Sequence, residues 1–255
     1  MKYISSRDNP IYKSALKLTR KKYRDETGMF LLEGIKPLKD ALTAGMDIKS
    51  VFVSDSVSEH PATVGILAEL PESCSACCLK GKLFSGLSDT EASQGIIAAV
   101  VKSTADIGEG GIAVLDRLQD PGNTGTIIRT AEAAGYGGIA VIRGTVDIYS
   151  PKVVRAAAGS LIRMPVLFFN NATEAAEFLH RTGRKLVVTC PDGAVDYREA
   201  DLGADMALIV GNEGGGVSDE FMALADIKVK IPMKGQIESL NVAVAAGILM
   251  FHGNK

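Results

Sequence analysis

Over the first hundred residues, short apolar runs alternate with stretches in which apolar positions recur every three or four residues. From Pro10 to Arg24 the stripe of Ile11, Tyr12, Ala15 and Leu18 predicts a basic amphipathic helix. Phe30–Glu33 predicts a short strand, 36–44 a helix ended by Gly45, and the alternation of Ile48–Val53 another strand. Residues 64–70 read as a helix, 77–79 as a short strand and 82–87 as a short helix. Ile96–Val101, built of small and β-branched residues, reads as a solid strand. Together they predict a compact α/β unit.

The pattern breaks at 103–111, which is polar and Gly-rich between two apolar strands. That composition suits a linker, so the chain divides into residues 1–104, a linker at 105–111, and residues 112–255. Beyond the break, strands at 112–115, 138–142, 166–169, 185–189, 207–210 and 228–231 alternate with helices at 125–134, 151–158, 173–181, 218–223 and 240–251. Such alternation implies an α/β domain with a mostly parallel sheet covered by helices. Ligands of such sheets sit outside the C-terminal strand ends.

Three strands end in turn-rich loops that carry polar side chains. In Leu115-Asp116-Arg117-Leu118-Gln119-Asp120-Pro121-Gly122-Asn123, the Pro-Gly pair turns the chain and Asn123 or Thr124 is the expected N-cap. Ile127, Ile128, Ala131 and Ala134 form the buried stripe of the next helix. Arg129 falls off that stripe. It either pairs with Glu132 on a solvated face or reaches toward a phosphate or a reacting hydroxyl. The second loop, Gly211-Asn212-Glu213-Gly214-Gly215-Gly216, allows close approach to the main chain. Its spacing is neither a dinucleotide fingerprint nor a P-loop. Glu213 disfavours a phosphate ligand, and a cationic ligand or an active-site Arg tolerates it better. The third loop runs from Ile231 to Asn241, with apolar Ile231, Met233 and Leu240, a bend at Gly235, and Ser239 as the expected N-cap of the last helix.

Bulk properties narrow the classes. The 255 residues carry a formal net charge of −2, so overall electrostatics do not announce a nucleic-acid binder. A local exception is the cluster Lys2, Arg7, Lys13, Lys17, Arg20, Lys21, Lys22 and Arg24, read either as a solvated helix face or as an RNA clamp. No apolar run approaches the roughly 20 residues of a membrane span, and the N-terminus lacks a signal-peptide core, so a cytoplasmic location is expected. Cys74-x-x-Cys77 has no second ligand pair, and no metal is expected. His60, His180 and His252 lie outside all three loops, which argues against a His base.

The three loops, in this order, closely resemble the three motifs of the SpoU/TrmH class of RNA methyltransferases, part of the SPOUT superfamily. Tyr149–Ser160 resembles the segment between that class's first and second motifs, where Lys152 and Arg155 stand as RNA-phosphate candidates. The resemblance implies an S-adenosylmethionine-dependent RNA ribose 2′-O-methyltransferase, with ribosomal RNA as the first substrate class and transfer RNA as the second. It implies a deep trefoil knot in the second domain, a small α/β substrate-binding domain before it, and a homodimer formed through the apolar terminal helix. It assigns Asn123, Arg129, Glu213, Ser239 and Asn241 to the catalytic centre, and Gly211, Ile231, Met233 and Leu240 to the cofactor. A guanidinium is a poor base, so Arg129 itself or a relay through phosphate or water stays open. A non-catalytic RNA-binding protein that kept the fold is the rival reading, against which the intact Asn123, Arg129, Glu213 and Asn241 count.

Overall fold

The structure is a computed structural model, and it describes residues 1–103, 106–190 and 194–253. The N-terminal elements are β1 (Lys2–Ile4), α1 (Pro10–Lys17), α2 (Lys21–Thr27), β2 (Met29–Glu33), α3 (Ile35–Thr43), β3 (Ile48–Ser54), α4 (Pro61–Ala68), β4 (Ser75–Leu79), α5 (Gly81–Phe84) and β5 (Ile96–Val101). There follow β6 (Ile112–Leu115), α6 (Pro121–Ala133), β7 (Gly138–Ile142), α7 (Pro151–Ala156), α8 (Ser160–Arg163), β8 (Val166–Phe169), α9 (Ala172–Arg181) and β9 (Leu186–Thr189). The last are β10 (Val195–Asp196), β11 (Ala207–Val210), α10 (Asp219–Leu224), β12 (Ile227–Lys230) and α11 (Val242–Gly253).

These elements form two compact units, Met1–Ser103 with Tyr149–Arg163, and Thr104–Ile148 with Met164–Lys255. The first is built on a five-stranded sheet of order β1-β4-β3-β5-β2, in which β5 runs antiparallel to both neighbours. Its core gathers Phe52, Leu79, Ile97, Tyr12 and Leu83. The stretch 149–163, which follows β7 in the chain, belongs to this unit.

The helix expected from Pro10 to Arg24 is two helices. The chain breaks at Leu18, and the buried Arg24 donates from Nη1 to the Leu18 carbonyl at 2.7 Å, supplying the partner that a continuous helix would have provided. Arg24 therefore serves the fold and offers no charge to a ligand. Lys13, Lys21 and Lys22 pair with Asp8, Asp25 and Glu26, so part of the basic cluster is locally neutralised. The helix expected over 151–158 also ends early, because Ala158 at φ 48° and Gly159 at φ 91° turn the chain into α8.

In the second unit the sheet order is β10-β12-β9-β11-β6-β7-β8, and every pairing is parallel. The strands β6, β7 and β11 are buried along their whole length, as expected of a sheet covered on both faces. From β6 the order runs outward in opposite directions, to β7 on one side and to β11 on the other. A crevice opens where strand order reverses in this way. Residues 108–110, in the Gly-rich stretch before β6, are stitched to this unit. Gly108 donates to the Gly137 carbonyl at 2.9 Å, and Arg184 donates to the Gly110 and Gly108 carbonyls. Residues 104 and 105, at the expected boundary between the first block and the linker, lie outside the described residues. Among the described residues, no helix is long and apolar enough to cross a membrane.

Tyr136 is buried against Gly111, its hydroxyl has no hydrogen-bond partner among the described residues, and burial pushes its phenol up in pKa. Removing an unpaired buried hydroxyl removes a desolvation cost. Tyr136→Phe is therefore expected to leave stability unchanged or raise it by about 1 kcal/mol in urea unfolding. A clear loss would show that the hydroxyl is satisfied.

Candidate active site

Because β6 and β11 are neighbours, the loops that follow them emerge side by side. The first loop is closed by Asp120, whose side chain accepts from the Asn123 amide at 2.7 Å while Pro121 occupies the first helical position. The expected cap at Asn123 or Thr124 is thus displaced to Asp120. Asp-Pro starts the helix earlier than the apolar stripe does, and the shift frees the Asn123 side chain for other work.

That side chain joins all three loops. Asn123 donates from Nδ2 to Glu213 Oε1 at 3.3 Å, and its Oδ1 accepts from Asn241 Nδ2 at 2.9 Å. Glu213 also accepts from the Gln119 and Asp120 amides, each at 3.1 Å. Asn241 in turn caps α11, its Oδ1 accepting from the Ala243 amide at 2.9 Å and the Val244 amide at 3.3 Å. The cap expected at Ser239 is therefore made by Asn241. The residue whose other end is already held by Asn123 is the better anchored of the two.

Burial pushes the Glu213 carboxyl up, but the amides of Glu213 itself, Gln119 and Asp120 and the Asn123 side chain outweigh it and leave the value lowered. A lowered folded value means that the ties of Glu213 are complete above the ordinary carboxylate range. They loosen only as pH falls through the depressed value.

Further links were not foreseen from the sequence. Buried Asp116 accepts from the Ser218 amide at 2.7 Å and from Arg117 Nε at 3.2 Å. Asn212 donates to the Arg117 carbonyl at 2.9 Å, and its Oδ1 receives the Gly214 and Gly215 amides. A charged residue at the end of an all-apolar strand, Asp116 after Leu115, was the available signal. Buried charges are kept only where they are paired or hydrogen-bonded.

The other expected residues lie as follows. Arg129 is exposed on α6, and among the described residues its guanidinium makes neither ion pair nor hydrogen bond, so the Arg129–Glu132 pair is not formed. Ser239 is exposed in the third loop and is not hydrogen-bonded to the Asn241–Asn123–Glu213 chain. Ile231, Met233 and Leu240 are half-buried along that loop. Gly211 is buried where the second loop folds back. A Cβ there would lie 2.2 Å from both the Gly216 carbonyl carbon and the Val217 nitrogen.

Compared with known proteins, residues 111–251 match the SpoU rRNA methylase family, and residues 9–98 match the MRM3-like substrate binding domain. A 23S rRNA (guanosine(2553)-2′-O)-methyltransferase of Bacillus subtilis, RlmP, is 36% identical over 253 residues, which is 99% of each chain. The crystal structure of an AdoMet-bound rRNA methyltransferase from Sinorhizobium meliloti is similar with a TM-score of 0.86 and 34% identity, over 99% of this chain and 97% of that one. The SpoU methyltransferase AviRb from Streptomyces viridochromogenes, crystallised with AdoMet, gives a TM-score of 0.87 at 27% identity, over 96% and 97% of the two chains.

The close approach at Gly211 is directly testable. Gly211→Ala is expected to displace the 212–216 turn at a cost of about 1–3 kcal/mol. It should also speed amide exchange at Asn212 and Gly216, which hydrogen-bond to each other. Unchanged melting and exchange would show that the loop has room.

Proposed function

The chain belongs to the SpoU rRNA methylase family, and from that premise we propose that its tied loops align S-adenosylmethionine with a ribose 2′-hydroxyl of ribosomal RNA. The enzyme is an RNA (ribose-2′-O)-methyltransferase. The observation that carries the reading is the Asn241–Asn123–Glu213 chain of hydrogen bonds, which fixes three loops at one crevice. Catalysis by alignment needs rigidity of this kind.

S-adenosylmethionine supplies a methyl group on a sulfonium, open to displacement by an oxygen nucleophile. Gly211, Ile231, Met233 and Leu240 would hold it. The residues fit such a ligand. The three side chains offer half-buried apolar walls, and among the described residues no main-chain amide from Met233 to Leu240 is hydrogen-bonded within the protein. Apolar walls with a few convergent polar groups are what a small-molecule pocket requires.

Arg129 is the uncommitted cation of the first loop's helix. It contacts the RNA and assists departure of the hydroxyl proton, directly or through phosphate or water. Asn123, Asn241 and Ser239 place the ribose. Glu213 is a positioning residue, since its carboxylate is engaged by the first loop.

The division of labour follows the two family matches. Residues 1–104 recognise RNA, 105–111 connect, and 112–255 transfer the methyl group. Ribosomal RNA is favoured over transfer RNA by the 23S rRNA activity in the name of the B. subtilis relative. Action on ribosomal RNA supports a cytoplasmic location. The path from β12 back across β9 and β11 to Asn123 is the segment that would close a trefoil knot.

Along α11, Val244 and Phe251 are exposed and Ile248 is half-buried, at spacings of four and three residues that set them in one stripe. The opposite side of the helix packs on α6. An apolar stripe of this kind supports a homodimer.

Arg129→Ala is expected to abolish turnover while leaving affinity for S-adenosylhomocysteine within a few-fold. Leu240→Arg should weaken that affinity, because a charge enters an apolar wall. Calorimetry and ribose-methylation mapping of 23S rRNA read the two effects. Activity retained in Arg129→Ala removes that residue from the chemistry, and methyl found on a base overturns the 2′-oxygen assignment. Light scattering at micromolar concentration should give twice the chain mass, falling to the monomer in Phe251→Glu. A monomeric parent would contradict the dimer.

A further inference from the structure

The first unit contains a cavity of about 270 Å³ that none of the three loops touches. It is just smaller than the roughly 300–1,000 Å³ pockets that enclose drug-sized ligands. Leu31, Leu87, Ile97 and Val154 contribute apolar lining, and Lys36, Gln94 and Arg155 bring polar heads to the wall.

The polar groups are only partly used by the protein. Gln94 Oε1 accepts from the Ile35 amide at 2.9 Å. Because that amide is a donor, the orientation of the Gln94 side chain is set, and its Nε2 has no partner among the described residues. Lys36 is exposed and forms no ion pair among the described residues. Arg155 donates from Nη1 to Asp89 at 3.2 Å, with half its side chain exposed. Glu33, also in the wall, is occupied: Oε1 accepts from the Ser88 hydroxyl at 2.7 Å and from the Ser93 hydroxyl, and Oε2 from the Asp89 amide. Gly34, at φ 112°, shapes the wall, since a Cβ there would press on Gln94 Oε1 and Pro37 Cδ at 3.2 Å.

We propose that this cavity receives one unstacked nucleobase of the substrate RNA, with the adjoining phosphate on Lys36 and Arg155. The apolar lining takes the face of the base, and Gln94 Nε2 donates to an acceptor on its edge. Reading of RNA sequence relies on such splayed-out bases, because the grooves of an A-form helix hide the edges. Gln94 is exposed, so its Nε2 can exchange water for an acceptor on the base at little cost. The proposal rests on RNA being the substrate and adds where one of its nucleotides is held.

The test uses the full-length protein and a 23S rRNA transcript. Ala92 lines the cavity and is exposed, so Ala92→Trp fills the space without entering the core. RNA binding is expected to weaken about tenfold or more in Ala92→Trp, as for the loss of a contact of about 1.4 kcal/mol. In Lys36→Ala the dependence of log affinity on log salt should flatten by about 0.7–0.9, the effect of one phosphate contact. Both variants should keep the parent's melting temperature and S-adenosylhomocysteine affinity. In parallel, the methyl signals of Leu31, Leu87, Ile97 and Val154 are followed while the four nucleoside 5′-monophosphates are added at millimolar concentration. Shifts at these methyls that vanish in Ala92→Trp are expected. Absence of such shifts in the parent overturns the pocket, as does RNA affinity and salt slope in both variants equal to the parent's. If Ala92→Trp melts early, Lys36→Ala and the parent's methyl shifts decide. A parent that shows the shifts but methylates no RNA would sink the enzymatic reading and leave the nucleotide site standing.

Discussion

The second unit depends on one side-chain amide that is engaged at both ends. Asn123 gives its Nδ2 to Glu213 and its Oδ1 to Asn241, so a single planar group sets the spacing of three loops. An amide is suited to this task because it has a donor and an acceptor in fixed relation. Its neighbours fix which end is which. The ionised Glu213 can only accept, and the Asn241 oxygen is committed to the α11 amides, so Asn241 must present its nitrogen. The direction of the whole chain is thereby determined, and reversing any one amide would place like groups against each other.

The sheet makes this meeting possible. Placing β11 beside β6 brings the first two loops together with no help from side chains. The third loop has farther to come, since β9 separates β12 from β11. It is drawn across by the seat of α11 on α6, where Gly247 lies close enough to Thr130 that an added Cβ would stand 3.5 Å from its methyl group. The seat of α11 on α6 thus serves the site at a distance, by holding Asn241 at the start of α11 within reach of Asn123.

Much of this was legible in the chain. The alternation of apolar strands and periodic helices predicted a parallel sheet, and the Gly, Pro and Asn residues at three strand ends marked the loops and, by resemblance, the family. What escaped was decided by tertiary partners. Nothing local distinguishes Ser239 from Asn241 as a cap, because both residue types cap well, and only Asn123, far away in sequence, selects one. The break after Lys17 has no Gly or Pro to announce it. It persists because the Arg24 guanidinium reaches the freed Leu18 carbonyl. Ala158 at positive φ is equally silent, since alanine is a poor marker for a left-handed turn. The edge strands β1 and β10 are too short to show a period. The Asn123–Glu213 contact could not be inferred from spacing, although each residue stood out alone.

The separation of the tied residues along the chain also bears on when the site comes into being. Asn123 and Glu213 are 90 positions apart, and Asn123 and Asn241 are 118. Contacts of such long range form slowly, because loop-closure entropy must be met before they stabilise anything. Synthesis proceeds from the N-terminus, so the first unit's main stretch and β6–α6–β7 emerge well before the partners that Asn123 needs. On the proposed division of labour, the growing chain would possess its RNA-recognising surface while the loops for methyl transfer remain untied. Substrate recognition would then precede chemistry, which waits until α11 has docked.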